Sequence, residues 1–396
     1  MTAQPCAGDC GESSLIKHQP HEAVSAVQDL NRLVLDGTKI IWYTDRVAAW
    51  ERGERIAPIT IDMALTRKCS MSCVFCYAAL QGNTERLITS EVMGGFLEDS
   101  ARMGVQGISL VSDGESTLSD AYIFTVQRGA ELGIAMASGT NALNLTPGRS
   151  EQVLPYLTYL RVNFSAGEPD RYAQIMGVKP QHFHRVADNI RHMVDYKRRH
   201  NLPVTLGIQM VLMPQEADQI VPFAKLGRKL GVDYAVIKHC SDDEYGHLGI
   251  NYGSYAALHD RLLEAEAQSI DTYKCIVKWE KIKAEGKRTY ARCYGPPFLI
   301  QISGSGLVAP CGMLFNERYA KFHIGNICET RWWDIWQSDR YWEVMRYLGS
   351  DQFDARRMCG TLCLQHLVNQ TLDNHVKGIQ PIIAASGTEP LHKAFV

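Results

Sequence analysis

From residue 59 onward the sequence alternates short β-branched apolar runs with longer amphipathic ones, a rhythm that predicts parallel strand–helix units. Six strands are predicted, at 59–65, 107–111, 134–137, 160–165, 204–212 and 234–238. Helical patterns separate them, among them 90–103, opened by Thr89 or Ser90 and stopped by Gly104, and 181–197. Six units are too few to close an eight-stranded barrel, so the expectation is an α/β chain forming a partial (β/α)6 barrel of parallel strands. In such architectures ligands gather at the carboxyl ends of the strands, which makes the residues after each strand the ones to read for chemistry.

The rhythm occupies only part of the 396 residues. Residues 1–58 read as an N-terminal tail and appendage: small polar residues with Pro and Gly over 1–20, a helical spacing of Val24, Val27, Leu30 and Val34 ended by Asp36-Gly37, then a short strand over 39–43. The barrel is expected over 59–270, a second α+β module with short strands at 298–302 and 307–310 over 271–370, and an extended tail over 371–396. The 41 Lys+Arg nearly cancel the 43 Asp+Glu, which argues against a nucleic-acid partner. No apolar run is long enough for a membrane span, and the first residues lack the layout of a signal peptide. Twelve cysteines in a chain of this length are too sparse for a secreted disulfide scaffold, so a reduced, cytoplasmic setting is expected and Cys6 and Cys10 are given no role.

The remaining cysteines are unevenly placed. Cys69, Cys73 and Cys76 directly follow the first predicted strand, at the ligand end of the barrel. A closed structural zinc site needs four protein ligands, and no fourth Cys or His lies within the next fifteen residues. A [4Fe–4S] cubane held by three thiolates leaves its fourth iron open to an exogenous ligand.

The Cys69-x3-Cys73-x2-Cys76 spacing, with Phe75 inside it and Tyr77 after it, resembles the signature of the radical S-adenosylmethionine (SAM) superfamily. That resemblance implies that SAM chelates the open iron and that the reduced cluster cleaves it to methionine and a 5′-deoxyadenosyl radical, which takes a hydrogen atom from substrate. It also implies a reductant such as flavodoxin or ferredoxin. Ser112-Asp113-Gly114-Glu115 after the second strand is similar to the family's Gly-Gly-Glu, with Asp113 in place of the first Gly and able to accept from the SAM ammonium. Thr140-Asn141-Ala142 resembles Thr-Asn-Gly, and Ser165 with Gly167 resembles the Ser-x-Gly turn beside SAM.

Cys293-x12-Gly306-x4-Cys311, followed by Cys359-x3-Cys363, is similar to the SPASM and twitch modules of radical SAM enzymes. The likeness implies that these four cysteines grip one auxiliary [4Fe–4S] cluster, with Cys328 as packing. Four Cys would fill a zinc tetrahedron equally well. A fully ligated cluster cannot bind SAM, which leaves it to carry one electron or to shape the module. Electron transfer would suit a net oxidation of substrate.

Lys238-His239-Cys240 and Asp242 end the sixth strand on the expected substrate side. Lys238, His239 and Asp242 read as substrate contacts or bases, and Cys240 as a thiol able to return a hydrogen atom to a substrate radical. The function expected is a radical SAM oxidoreductase acting on a small molecule such as a sugar or biosynthetic intermediate. Modification of a ribosomal peptide is the alternative, although the 58 residues before the first strand leave little room for a leader-binding domain. A non-catalytic iron–sulfur or zinc protein is the alternative of another class.

Overall fold

The computed structural model describes residues 29–83, 86–360 and 362–396. Cys6, Cys10 and most of the predicted N-terminal helix lie outside these residues. Ten strands form one sheet: β1 (Thr60–Met63), β2 (Gly107–Leu110), β3 (Ala135–Thr140), β4 (Leu157–Asn163), β5 (Thr205–Leu212), β6 (Tyr234–His239), β7 (Lys274–Val277), β8 (Leu299–Ile302), β9 (Leu307–Ala309) and β10 (Gly325–Asn326). Their spatial order is β10-β9-β8-β1-β2-β3-β4-β5-β6-β7. From β8 through β1 to β7 every pairing is parallel, while β9 and β10 add antiparallel to β8.

The six predicted strands are present as a partial barrel, and the parallel sheet continues beyond them at both ends. At one end β7 pairs with β6 in the register Tyr234↔Lys274. Its four residues, Lys-Cys-Ile-Val, lie just past residue 270, the expected end of the barrel. At the other end β8 lies beside β1, with Thr60↔Leu299 and Asp62↔Gln301 in register, so the second cysteine region is built onto the barrel's own edge.

Helix Ser90–Met103 shows how local chemistry sets these units. Thr89 Oγ1 accepts from Val92 N at 3.2 Å to open it, and Gly104 at φ +84° closes it. Met93, Phe96, Leu97 and Ser100 make the buried face, and Trp332 packs on Phe96 with ring centroids 5.8 Å apart. The stretch Trp332-Trp333-Asp334-Ile335-Trp336 therefore packs as core: helix Trp332–Gln337 rests on this helix, pinned by Arg331 to Asp99 at 2.7 Å.

Three local expectations fail for physical reasons. Residues 29–35 are not helical beyond the short turn Leu30–Arg32, because Leu33 leaves it to bridge Leu391. Residues 39–43 are not a strand; Gly37 at φ +89° and the Asp36 carboxylate, which accepts from Thr38, start the turn Thr38–Trp42. The C-terminal segment is not an extended tail. Helix His366–Val376 occupies its start, and 391–396 return to the amino-terminal mouth of the barrel. There Thr60 Oγ1 donates to Ala394 O at 2.8 Å, and Phe395 sets its ring on Tyr159 at 4.9 Å. Gly107 permits this, since a Cβ there would lie 2.7 Å from Ala394 O. The amino-terminal mouth is thus stoppered, and the chemistry-bearing loops stand at the carboxyl mouth. Among the described residues no helix is long and apolar enough to cross a membrane.

Candidate active site

Beyond β1 the chain turns into the loop that carries Cys69, Cys73 and Cys76, all free thiols. Ser72 N donates to Met176 O at 3.2 Å and Val74 N to Ile175 O at 3.0 Å, which seats the loop on the end of helix Pro169–Met176. Gly177, at φ +64°, lets the two backbones meet, because a Cβ there would lie 2.2 Å from Ser72 O. Burial, with the neighbouring Cys76 and Cys69 sulfurs, pushes the Cys73 thiol up to about 12. Burial likewise raises Cys69. Binding iron in place of a proton removes this penalty, so the donor set fits a thiolate-held metal cluster.

The loops after β2 and β3 form one polar network around that cysteine loop. Glu115 Oε1 accepts from Thr117 and Thr140 hydroxyls at 2.6 and 2.7 Å, and Oε2 accepts from Asn141 N at 2.7 Å. Asn141 Nδ2 then reaches Ser70 Oγ at 3.1 Å and Cys69 Sγ at 3.8 Å. Glu115 therefore acts by holding Asn141 against Cys69. Ser165, fully buried, accepts from Val211 N at 3.1 Å. A Cβ on Gly114 would lie 1.8 Å from Thr66 O, so only glycine allows the β2 loop to press on the base of the cysteine loop.

Asp113 departs from expectation. Its carboxylate accepts from Ser303 Oγ at 2.6 Å and Gly304 N at 2.8 Å, with Arg67 Nε at 3.4 Å. The side chain faces the turn after β8 because a buried carboxylate needs donors, and the turn supplies them. It is a tie between the two cysteine-bearing regions rather than a ligand for an ammonium group.

Cys293, Cys311, Cys359 and Cys363 line a single cavity together with Arg288, Tyr290, Leu314, Phe353 and Asn369. Burial and the adjacent Cys363 and Cys359 sulfurs raise the Cys293 thiol, and burial with the other three sulfurs raises Cys311 well above its ordinary value. Arg288 approaches Cys359 Sγ at 3.7 Å and Asn369 Nδ2 approaches Cys293 Sγ at 3.5 Å, so thiolates here would find donors. Cys328 stands apart, its sulfur 3.7 Å from Leu87 O. Among the described residues no three His, Cys, Asp or Glu side chains converge on a single metal-ion position. The tetrad lines a cavity that would take a thiolate-held metal cluster.

At the end of β6 the alternation of the strand divides the predicted residues. Lys238 and Cys240 share the concave face, where Cys240 Sγ lies 4.0 Å from Phe75 O of the cysteine loop. Burial, helped by Asp242 and Cys76, pushes the Cys240 thiol up to about 12, so it keeps its hydrogen at neutral pH. His239 is on the other face, buried against Tyr252 and Tyr255, and burial holds it neutral. Asp242 accepts from Asp243 N at 2.8 Å and Leu248 N at 3.0 Å, which shapes the following turn. His239 and Asp242 are therefore framework residues rather than substrate-facing bases.

The concave face also carries residues that motif reading missed: Asp62 on β1, Arg161 on β4, and Lys278 just after β7. Charged residues inside apolar strands such as Ile61-Asp62-Met63 and Leu160-Arg161-Val162 were the available signal. Burial pushes Asp62 up to about 7 against the opposing pull of Arg161, Lys238 and Lys278. It pushes Lys238 down to about 7, with Arg161 and Lys281 adding repulsion.

Comparison with known proteins agrees with this layout. The family model for the radical SAM superfamily matches residues 63–226, and the model for SPASM, an iron–sulfur cluster-binding domain, matches residues 293–363. No curated protein matches the chain. Among solved structures, Streptococcus suis SuiB bound to S-adenosylmethionine superposes with a TM-score of 0.60 at 17% identity, covering 77% of this chain and 72% of that one. The same protein bound to precursor peptide SuiA gives 0.58 at 17% identity, covering 77% and 70%. anSMEcpe with bound AdoMet and Kp18Cys peptide gives 0.54 at 12% identity, covering 77% and 89%. At these identities the likeness shows the fold. The two domains imply SAM and [4Fe–4S] clusters as cofactors, and the chain is a radical SAM protein with a C-terminal SPASM-type iron–sulfur domain.

Proposed function

We propose that this protein is a radical SAM oxidoreductase acting on a small molecule such as a sugar or biosynthetic intermediate. One substrate hydrogen would leave as an atom to the 5′-deoxyadenosyl radical, and the resulting substrate radical would lose a proton to solvent and an electron to the auxiliary cluster. The observation that carries this reading is the joining of the Cys69–Cys76 loop to the Glu115–Asn141 network at the carboxyl mouth, with a separate four-cysteine cavity in the domain built on the barrel edge. Cys69, Cys73 and Cys76 would hold the SAM-binding cluster, with Gly114, Asn141 and Ser165 beside SAM, and Cys293, Cys311, Cys359 and Cys363 would hold the auxiliary one. Reduced by flavodoxin or ferredoxin, the first cluster with SAM supplies a 5′-deoxyadenosyl radical. Asn141 keeps the Cys69 side of the loop fixed, Lys238 faces the substrate space, and residues 391–396 cover the opposite, amino-terminal mouth. A cytoplasmic setting suits both oxygen-sensitive clusters. A peptide substrate is the second reading, supported by SuiB and anSMEcpe, each solved with a peptide.

The test is anaerobic. Replacing Cys69, Cys73 and Cys76 together by Ala should abolish 5′-deoxyadenosine formation while leaving about four irons per chain in the second site. Continued SAM cleavage would end the radical reading, and zinc alone or about eight irons in that variant would end the assignment of one auxiliary cluster.

A further inference from the structure

Arg161, Lys238 and Lys278 reach the barrel lumen from three neighbouring parts of the sheet. Arg161 lies on β4 and Lys238 on β6, and Lys278 follows β7 directly, its backbone N held by Ile237 O at 2.9 Å. Repulsion adds to burial in lowering both lysines: Arg161 and Lys281 act on Lys238, and Lys281, Arg161 and Lys238 act on Lys278. Among the described residues, none of the three has a carboxylate oxygen within 4.0 Å. The Arg161 Nε atom is buried and has no acceptor. Asp62 is the carboxylate that shares this space, and it is 6% exposed. Other ion pairs near the barrel are closed: Lys197 meets Asp233 at 2.6 Å and Arg331 meets Asp99 at 2.7 Å. The lumen thus gathers Arg161 and two lysines whose positive form burial disfavours around one carboxyl group whose negative form burial also disfavours, in a place where unpaired charge is costly.

We infer that the lumen is built for a substrate that carries an anionic group, a carboxylate or a phosphate, seated between Arg161, Lys238 and Lys278. This rests on the radical SAM reading for what happens to the substrate afterwards, though the charge argument does not use the clusters. An arriving anion would supply the acceptor that Arg161 Nε lacks and relieve the repulsion among the three cations. A neutral sugar would do neither. Two of the cations, Lys238 and Lys278, stand on the β6–β7 side, across β5 from the loops after β2, β3 and β4. The same placement puts the reactive part of a short anionic molecule near Cys240 and the cysteine loop.

The experiment titrates the reconstituted full-length protein with inorganic phosphate and with succinate, at constant ionic strength, using calorimetry and thermal shift with chloride and glycerol as controls. One of the two anions should bind and raise the melting temperature, its identity choosing between phosphate and carboxylate. Binding should weaken about ten-fold or more in Lys278→Gln and in Arg161→Gln, roughly the loss of one charge-assisted hydrogen bond. Lys238→Met is a third variant, so that one misfolding does not decide the matter. Failure of both anions to bind would overturn the inference, as would undiminished binding in the folded variants. Loss of anion binding when saturating SAM is present would also overturn it, because the cations would then serve the SAM carboxylate. A protein that cleaves SAM but binds neither anion refutes this inference alone; one that binds an anion in the lumen but never cleaves SAM refutes only the proposed reaction.

Discussion

Arg288 Nη2 points at Cys359 Sγ from 3.7 Å inside the four-cysteine cavity, and the same guanidinium donates through Nη1 to Ala355 O at 3.1 Å. A fixed cation beside cluster ligands favours the more negative, reduced state, which is what an electron acceptor needs. Arg288→Gln should therefore lower the reduction potential of the auxiliary cluster while leaving its iron content unchanged. A redox titration followed by electron paramagnetic resonance reads this directly. An equal or higher potential in the variant would show that Arg288 only fills space.

Asp113 makes a second kind of link, between the β2 loop and the turn after β8. Removing its carboxylate leaves the buried Gly304 N without its acceptor, takes from the Ser303 hydroxyl its shortest one, and removes the anion beside Arg67, which keeps Asn83 O and Gln81 O. Asp113→Ala should cost about 3 kcal/mol of stability, in the range for losing buried charge-assisted hydrogen bonds. Asp113→Gly restores the Gly-Gly-Glu pattern yet should destabilise as much. Urea melts give the size of the effect, and hydrogen exchange at 303–305 should rise in both variants. A neutral Asp113→Gly would contradict the role assigned here.

Ala142 stands where the resembled pattern has glycine, and it adopts φ +55°. An L-residue with a Cβ pays about 1–2 kcal/mol for the left-handed region. Ala142 N donates to Thr140 Oγ1 at 2.9 Å and Asn189 donates to its carbonyl at 2.9 Å, so the surroundings impose the conformation. Ala142→Gly should stabilise the protein by about 1 kcal/mol, measured by chemical denaturation. A loss of stability would mean that the methyl packing of this fully buried residue outweighs its strain.

The parts of the fold that sequence shows are those repeated locally. Thr89 and Gly104 announce the helix between them, and the runs around Ile108 and Ile208 announce their strands. The seventh strand lies just past the point where the strand–helix rhythm of the sequence stops, and the placement of β8 beside β1 depends on contacts more than 230 residues apart in the chain. The cysteines were legible because metal ligation needs fixed spacing on a loop. Asp113 and Asp242 were misjudged because their partners, Ser303 and Leu248, belong to turns whose positions only the fold supplies. Arg161 and Lys278 carry no motif at all, and only strand alternation places them on the concave face.

Cys240 separates two outcomes for the substrate. Its sulfur lies on the same face as Lys238, 4.0 Å from Phe75 O, and among the described cysteines it is the one outside both cluster groups that stands beside the cysteine loop. If the reaction is a dehydrogenation, the electron leaves through the auxiliary site and no thiol hydrogen is needed. Cys240→Ala should then turn over at nearly the wild-type rate, with product two hydrogens lighter than substrate. If the reaction is an epimerisation, Cys240→Ala should still form 5′-deoxyadenosine but deliver no solvent deuterium into product. The Arg288 contact to Cys359 favours the first outcome, since a cluster held near a cation accepts an electron more readily. Mass spectrometry of product made in deuterium oxide decides between them: unchanged mass apart from one solvent deuteron, lost in the variant, would overturn the dehydrogenation.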